Sequence, residues 1–153
     1  MTFEYRNQFY TVHGRRKIEH GQAILKARGR SIDTNPGSIN GLHAYIIQSN
    51  PLNTVYEPIV TREWIAVSYD PTHSALSAKG DSGSLLVVDK ADGIGLEAVG
   101  LVFGGVDGRH QMGGDNDAHE ELWRKELTFV TPIDRVLDWL QNEFGEEFAV
   151  GLP

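Results

Sequence analysis

The chain has 153 residues, of which 40% are hydrophobic and 23% are charged, and its formal net charge at pH 7 is −7. This length and composition are typical of one globular domain with a sizeable core. Because the basic residues are scattered through an acidic chain, nucleic acid and anionic membranes are excluded as main partners. No apolar run approaches the length of a membrane span.

Residues 1–21 are predicted to form a polar arm or linker, with a solvated basic cluster at residues 15–17. This segment lacks the apolar core of a signal peptide. The chain contains no cysteine. Together these two features favour a reducing, intracellular compartment.

Six strands are predicted to follow, each an apolar or alternating run bounded by turn residues. Their regular spacing favours an all-β barrel or sandwich with antiparallel pairing. The predicted strands cover residues 22–28, 39–47, 64–69, 85–88, 97–103 and 127–130.

The last predicted element is an amphipathic helix over residues 132–144, which we expect to pack against the strands. Thr131 suits the N-cap, Pro132 the first helical position and Asp134 the capping-box acid. Gly145 is a stop signal, and residues 146–153 are predicted to be a tail. The apolar stripe consists of Ile133, Val136, Leu137, Leu140 and Phe144.

The segment Lys-Gly-Asp-Ser-Gly-Ser over residues 79–84 is a glycine-bounded turn that leads directly into the apolar strand 85–88. Gly80 and Gly83 allow the backbone to bend on both sides of Ser82. The alternative serine motif, G-x-S-x-G, needs a glycine at position 84 and a following helix, but this chain has Ser84 and a strand. An ordinary glycine hairpin is the simpler alternative.

This turn resembles the nucleophile turn of the chymotrypsin/trypsin-like serine proteases. The order of elements over residues 22–145 is similar to the second, C-terminal barrel of that fold. The resemblance implies a six-stranded antiparallel Greek-key barrel closed by one C-terminal α-helix. Three further segments fit the family: the opening hairpin at 25–41, the glycine-rich strand at 99–105 and the last strand at 129–133.

The resemblance implies that Ser82 is the nucleophile and that the backbone N–H groups of Gly80 and Ser82 form the oxyanion hole, roles that belong to the family's triad chemistry. Asp81 would hold the turn in shape by pairing with a buried cation or with amide donors. In zymogen-type relatives that partner is a freed N-terminus. The sequence does not identify the partner here, and a solvated turn aspartate is the alternative.

The resemblance also implies a substrate pocket beside the nucleophile. Its floor would be Leu76, with Ser77 beside it. The opposite wall would be Phe103, Gly104 and Gly105. Because no acid stands at the floor, a peptide substrate with an apolar or small side chain is favoured over one with Lys or Arg. The alternative is that Leu76 is a core leucine.

The general base is the missing part. In the family, the catalytic histidine and its aspartate come from a first barrel, whereas here only His13 and His20 precede the opening hairpin, in the wrong sequence context. A serine without a positioned base is a weak nucleophile, so this chain alone is predicted to be nearly inert as a protease. The remaining histidines are predicted to lie at the surface: His43, His73, His110 and His119.

The longest predicted loop, residues 106–125, is acidic. Calcium binding is one interpretation of its oxygen ligands, but their spacing lacks the EF-hand pattern, and no histidine spacing matches a zinc site. A flexible acidic loop is favoured, so neither a metal nor a cofactor is predicted. The acidic and amide residues are Asp107, Asp115, Asn116, Asp117 and Glu120.

Three hypotheses follow. The first is the nucleophile-bearing half of a serine endopeptidase, either truncated or dependent on a first barrel supplied elsewhere. The second is a degenerate, non-catalytic single barrel that binds peptides or protein partners. A lone second barrel would expose its interdomain face, which predicts self-association or a first-barrel partner. The third is a similar serine turn on an unrelated β domain.

Overall fold

The computed structural model describes residues 2–5, 8–27, 35–48, 59–69, 75–106 and 127–145. These residues form eight strands and one helix. The predicted tail, the acidic residues of the 106–125 loop, and His73, His110 and His119 lie outside the described residues. The strands are β1 Thr2–Tyr5, β2 Gln8–Arg15, β3 Ala23–Lys26, β4 Pro36–Gln48, β5 Ile59–Ser68, β6 Leu85–Asp89, β7 Leu96–Val106 and β8 Leu127–Pro132, and the helix is α1 Ile133–Phe144.

All six predicted strands are present, as β3 to β8, and each pairs antiparallel with two others. The pairs run β3–β4, β4–β5, β5–β8, β8–β7, β7–β6 and β6–β3, so hydrogen bonding closes into a ring of strands. The all-β fold with one C-terminal helix is therefore confirmed. No helix within the described ranges is long and apolar enough to cross a membrane.

The N-terminal segment differs from the expected polar arm, because it contains β1 and β2. These strands form an antiparallel hairpin, and β2 runs parallel to β7 with Val12 opposite Leu96. Two members of the basic cluster form surface ion pairs while their side chains stay partly exposed. Arg16 contacts Glu97 at 2.5 Å, and Arg15 contacts Asp134 at 3.4 Å.

Two apolar clusters lie on opposite faces of β6 and β7, because side chains alternate along a strand. On β6, Leu86 and Val88 belong to the first cluster, whereas Val87 belongs to the second. We call them the inner and outer clusters. The inner cluster contains Ile18, Ile24, Ile39, Ala66, Leu76, Leu86, Val88, Val99, Val102 and Val130. The outer cluster contains Val12, Ala27, Val87, Leu96, Ala98 and Ile133.

The helix begins one residue later than predicted, and its cap differs. Pro132, rather than Thr131, is the N-cap, and no side chain caps the helix. Ile133 is buried in the outer cluster with Leu137 packed against it, whereas Phe144, expected in the apolar stripe, is 55% exposed. The stop at Gly145 is as predicted, since its N–H donates to the Gln141 carbonyl at 2.9 Å.

Candidate functional site

The serine turn precedes β6 and has the backbone geometry that its two glycines allow. Gly80 has φ of 97° and Gly83 has φ of 86°, both in the left-handed region that side chains disfavour. Two backbone hydrogen bonds close the turn: Asp81 N–H to Ala78 C=O at 3.0 Å and Ser84 N–H to Asp81 C=O at 2.9 Å. The turn therefore has a defined shape rather than the geometry of an open loop.

Beyond its own bonds, the turn is hydrogen-bonded to β7. The Gly83 N–H donates to the Val102 carbonyl at 2.7 Å, and the Val102 N–H donates to the Ser84 carbonyl at 2.8 Å. Ser82 itself is exposed, and its hydroxyl donates to the Phe103 carbonyl at 3.3 Å. The structure thus brings Ser82 beside Phe103, which the family resemblance assigns to the wall of a substrate pocket.

Asp81 is fully buried, and its carboxylate pairs with Lys26, a residue of β3. The distance from Lys26 Nζ to Asp81 Oδ2 is 2.6 Å, and both side chains have 0% exposure. The same oxygen accepts the Ala78 N–H at 2.9 Å. Asp81 is therefore buried and paired, and the alternative of a solvated turn aspartate is wrong. A fully buried carboxylate needs such partners to offset its desolvation.

Sequence analysis missed Lys26, although the signal was present. Ile24 and Lys26 are two residues apart on β3, so they point to the same face of the strand. Both are buried, at 3% and 0% exposure. A lysine in phase with core residues requires a buried acid, and Asp81 is the buried acid that meets it.

The two candidate oxyanion donors, the N–H groups of Gly80 and Ser82, belong to exposed residues. No acceptor within the described part of the chain takes a hydrogen bond from either N–H. The neighbouring N–H groups of Asp81, Gly83 and Ser84 are all engaged. The hydrogen bonds of Asp81, Gly83 and Ser84 therefore fix the backbone around the two candidate donors.

The candidate pocket residues separate into two groups. Leu76 has 0% exposure and lies in the inner cluster, where a Cβ built on Gly37 would come within 3.0 Å of it. Ser77 points elsewhere, since its hydroxyl lies 2.7 Å from that of the buried Thr128. A Cβ on Gly105 would lie 3.7 Å from Ser77 Oγ, so these two residues are neighbours. The structure therefore places hydroxyls, not Leu76, beside Gly105.

No described histidine is hydrogen-bonded to Ser82. His43 contacts Trp64 with the rings tilted by 50° and their centroids 4.2 Å apart, and it lies 3.4 Å from the Arg62 guanidinium. Desolvation, followed by the charges of Arg62 and Arg135, lowers the pKa of His43 below its usual 6.5. His13 and His20 lie against glycine backbone, at Gly95 and Gly41.

The described ranges contain no group of three side chains that could hold a metal ion. Neither a scan against protein-family models nor a search of curated proteins returned a match. The features of the chain that bear on its function are the turn, its buried ion pair and the order of the strands.

Proposed function

We propose that this chain is the nucleophile-bearing half of a chymotrypsin/trypsin-like serine endopeptidase. The observation that carries this proposal is the Ser82 turn: an exposed hydroxyl between two left-handed glycines, above a buried aspartate–lysine pair. The strand order supports it. Along the ring, β6, β3, β4 and β5 are neighbours, which is the Greek-key order of a fourth strand beside the first. We take the ring as a Greek-key barrel.

The proposed reaction is acyl transfer. Ser82 Oγ attacks the carbonyl carbon of a peptide, its proton passes to a base, and the Gly80 and Ser82 N–H groups stabilise the oxyanion. The C–N bond then breaks, and the leaving amine takes the proton from the base. Water hydrolyses the acyl-enzyme and restores the hydroxyl.

The base would come from outside the described residues, for example from a first barrel in another polypeptide segment. The Phe103 carbonyl accepts a hydrogen bond from Ser82 Oγ, but an amide oxygen is too weak a base to activate it. Loss of a triad member lowers the rate by about 10⁴-fold or more. Alone, the chain would therefore turn over peptide slowly.

The proposed substrate is a peptide chain that lies along Phe103–Gly105 with a short side chain beside Ser77. Support comes from Gly105, which carries no side chain beside Ser77: a Cβ there would lie 3.7 Å from Ser77 Oγ and 2.8 Å from the Leu127 carbonyl oxygen. The burial of Leu76 argues against a deep pocket that it would floor. The reaction needs no cofactor.

A second candidate function is non-catalytic binding of a peptide or protein partner. Two observations favour it: the Ser82 hydroxyl donates to a carbonyl rather than to a base, and β4 and β5 expose large apolar side chains. The latter are Leu42, Tyr45, Ile47, Ile59 and Val60. Self-association through an interdomain face remains part of this candidate.

Labelling with a fluorophosphonate separates the two functions, because a formed oxyanion hole accelerates the attack of Ser82 on the reagent even where the base is missing. We expect the native chain to be labelled at Ser82, located by peptide mass spectrometry, at least about tenfold faster than the urea-denatured chain, a difference of about 1.4 kcal/mol in barrier. Ser82→Ala should abolish labelling, whereas Ser84→Ala removes a buried serine of the same turn and should retain it. Equal rates for the native and denatured chains would contradict catalysis and favour the binding function.

A further inference from the structure

We propose that one edge of β4 is a docking site and that its occupant is a second copy of this chain, paired antiparallel, β4 to β4, across a twofold axis. The edge consists of residues 43–48, which we call the open edge. The inference rests on the second candidate function and deepens it, because it names the partner that this part of the molecule binds. It does not depend on catalysis at Ser82.

The open edge lies where β4 extends beyond the ring of strands. Residues 43–48 of β4 pair with residues 59–64 of β5, and we call these two segments the ribbon. On its other side β4 pairs with β3 over residues 36–38, and the Ile39 N–H donates to the Gln22 carbonyl at 3.0 Å. Within the described ranges, residues 43–48 therefore have a strand neighbour on one side only. An edge of this kind is a template for a further strand.

The open edge lacks the sequence features that protect an exposed strand edge, which are charged side chains and proline. Residues 43–48 are His-Ala-Tyr-Ile-Ile-Gln, without a lysine, an arginine, an acid or a proline. Desolvation, followed by the charges of Arg62 and Arg135, lowers the pKa of His43, so this segment is uncharged at pH 7. Two copies can therefore meet here without placing like charges opposite each other, although each chain has a formal net charge of −7.

The far edge of the ribbon, on β5, differs because a side chain of α1 covers it. The Arg135 guanidinium donates to the Arg62 carbonyl at 2.8 Å and lies 3.9 Å from the Glu63 carboxylate. A charged side chain bonded to the backbone of β5 obstructs the addition of a strand there. Addition to the ribbon is therefore favoured at β4.

The side chains beside the open edge include large exposed apolar groups. Tyr45 and Ile47 are each 67% exposed, and Val60, which lies opposite Ile47, is 54% exposed. Because residues directly opposite each other share a face of the sheet, these three side chains form one apolar face of the ribbon. Two strands alone are marginally stable in water, and pairing with a second copy would make a four-stranded sheet with a wider apolar face.

A second copy fits the open edge because antiparallel pairing about a twofold axis is self-complementary. The same six residues supply both strands, so Tyr45 and Ile47 of one copy lie beside those of the other. Arg62, which lies opposite Tyr45 on β5, stays one strand away from the axis in each copy. The contact is a single strand pair, so we expect a reversible dimer rather than an obligate one.

Sedimentation of the full chain at rising concentration tests the proposal. The mass of the native protein should rise from 17.0 kDa toward twice that value. Ile47→Lys changes an exposed side chain and places ammonium groups close together across the axis, so it should weaken dimerisation at least about tenfold. Ile94→Lys is the matched control, since Ile94 is 75% exposed and lies outside the ribbon. This control should dimerise like the native chain.

Single cysteines locate the pairing, because the chain contains no cysteine of its own. In an antiparallel pair about a twofold axis, only the residue at the axis faces its own copy within the Cα distance that a disulfide needs. Cysteine is placed at each of residues 43–48 in turn, and the rate of oxidative cross-linking is measured. One position should cross-link at least about tenfold faster than Val60→Cys, which lies on β5.

Three results would overturn the proposal. The first is a native chain that stays monomeric at every concentration, which would mean that the open edge does not bind a second copy. The second is a native dimer that Ile47→Lys leaves intact or that Ile94→Lys weakens equally. The third is cross-linking at Val60→Cys as fast as at the open edge.

The dimer test is independent of the proposed catalysis. Ser82→Ala should dimerise like the native chain, because the serine turn lies outside the ribbon. Ile47→Lys should likewise retain the native rate of fluorophosphonate labelling. A failure of labelling would therefore count against the protease alone, and a failure to dimerise would count against the pairing of β4 alone.

Discussion

At the scale of single residues, the serine turn depends on a backbone conformation that only glycine adopts freely. Gly83 has φ of 86°, yet a Cβ built on it meets no atom within 4 Å. Strain, rather than a clash, therefore opposes a side chain here. Gly93, which lies outside the serine turn, is a matched control position: its φ is 71°, and a Cβ built on it also meets no atom within 4 Å.

We predict that Gly83→Ala and Gly93→Ala each lower the free energy of unfolding by about 1–2 kcal/mol, the cost of a left-handed residue. Urea denaturation measures both. Only Gly83→Ala should also slow the labelling of Ser82, because Gly83 adjoins Ser82 and Gly93 does not. Equal effects of the two variants on labelling would show that the local geometry of the turn does not control the serine.

The sequence predicted the turn, whose residues are contiguous in the chain, and missed the features of the candidate site that depend on distant contacts. Ser82 and its two glycines are neighbours, so their motif predicted the turn. Lys26 stands 55 positions from Asp81, and only the face that it shares with Ile24 could have indicated the pairing. The placement of Leu76 needed the position of Gly37, which no local pattern contains.

At the scale of elements, the closing helix is held mainly by its first turn. Ile133 is 7% exposed within the outer cluster, whereas Phe144 at the other end is 55% exposed. Phe144 contacts Trp139, itself 56% exposed, in an edge-on arrangement with centroids 6.3 Å apart. The apolar stripe is therefore buried at its first residue and largely exposed at its last.

We predict that Ile133→Ala lowers the free energy of unfolding by about 2–4 kcal/mol, because it removes a buried side chain and leaves a cavity. Phe144→Ala deletes a larger side chain but should cost below about 1 kcal/mol, since the ring stays largely in water. Thermal and urea unfolding measure both. A larger cost for Phe144→Ala would mean that the helix C-terminus is buried by contacts outside the described residues.

The strands β3 to β8 were predicted because each carries a local apolar pattern. The strand β2 was missed because its burial depends on pairing with a distant strand. The six runs from β3 to β8 carry apolar residues between turn signals, and all six form strands. In β2, Val12 is followed by Gly14 and Arg15, so the segment looks like a polar arm. Its strand state comes from pairing with β7, a partner more than 80 residues away.

At the scale of the whole molecule, β6 and β7 are shared by both apolar clusters. Val99 of β7 faces the inner cluster, and Ala98 next to it faces the outer cluster with Val12 of β2. The N-terminal strand is therefore part of the same packed body as the ring. If it were an independent arm, loss of its core residue would leave the ring's unfolding unchanged.

We predict that Val12→Ala and Val99→Ala, both at 0% exposure, each shift the single unfolding transition of the whole chain. The expected cost is about 1–3 kcal/mol for each, from lost transfer free energy and a small cavity. Val60→Ala makes the same deletion at a site that is 54% exposed and should cost below about 0.5 kcal/mol. Urea unfolding followed by tryptophan fluorescence and by far-ultraviolet circular dichroism measures all three. Since both clusters share β6 and β7, the two probes should give coincident curves for every variant. A native-like midpoint for Val12→Ala, or a separate early transition, would show that β2 is an appendage and that the serine turn is supported by the ring alone.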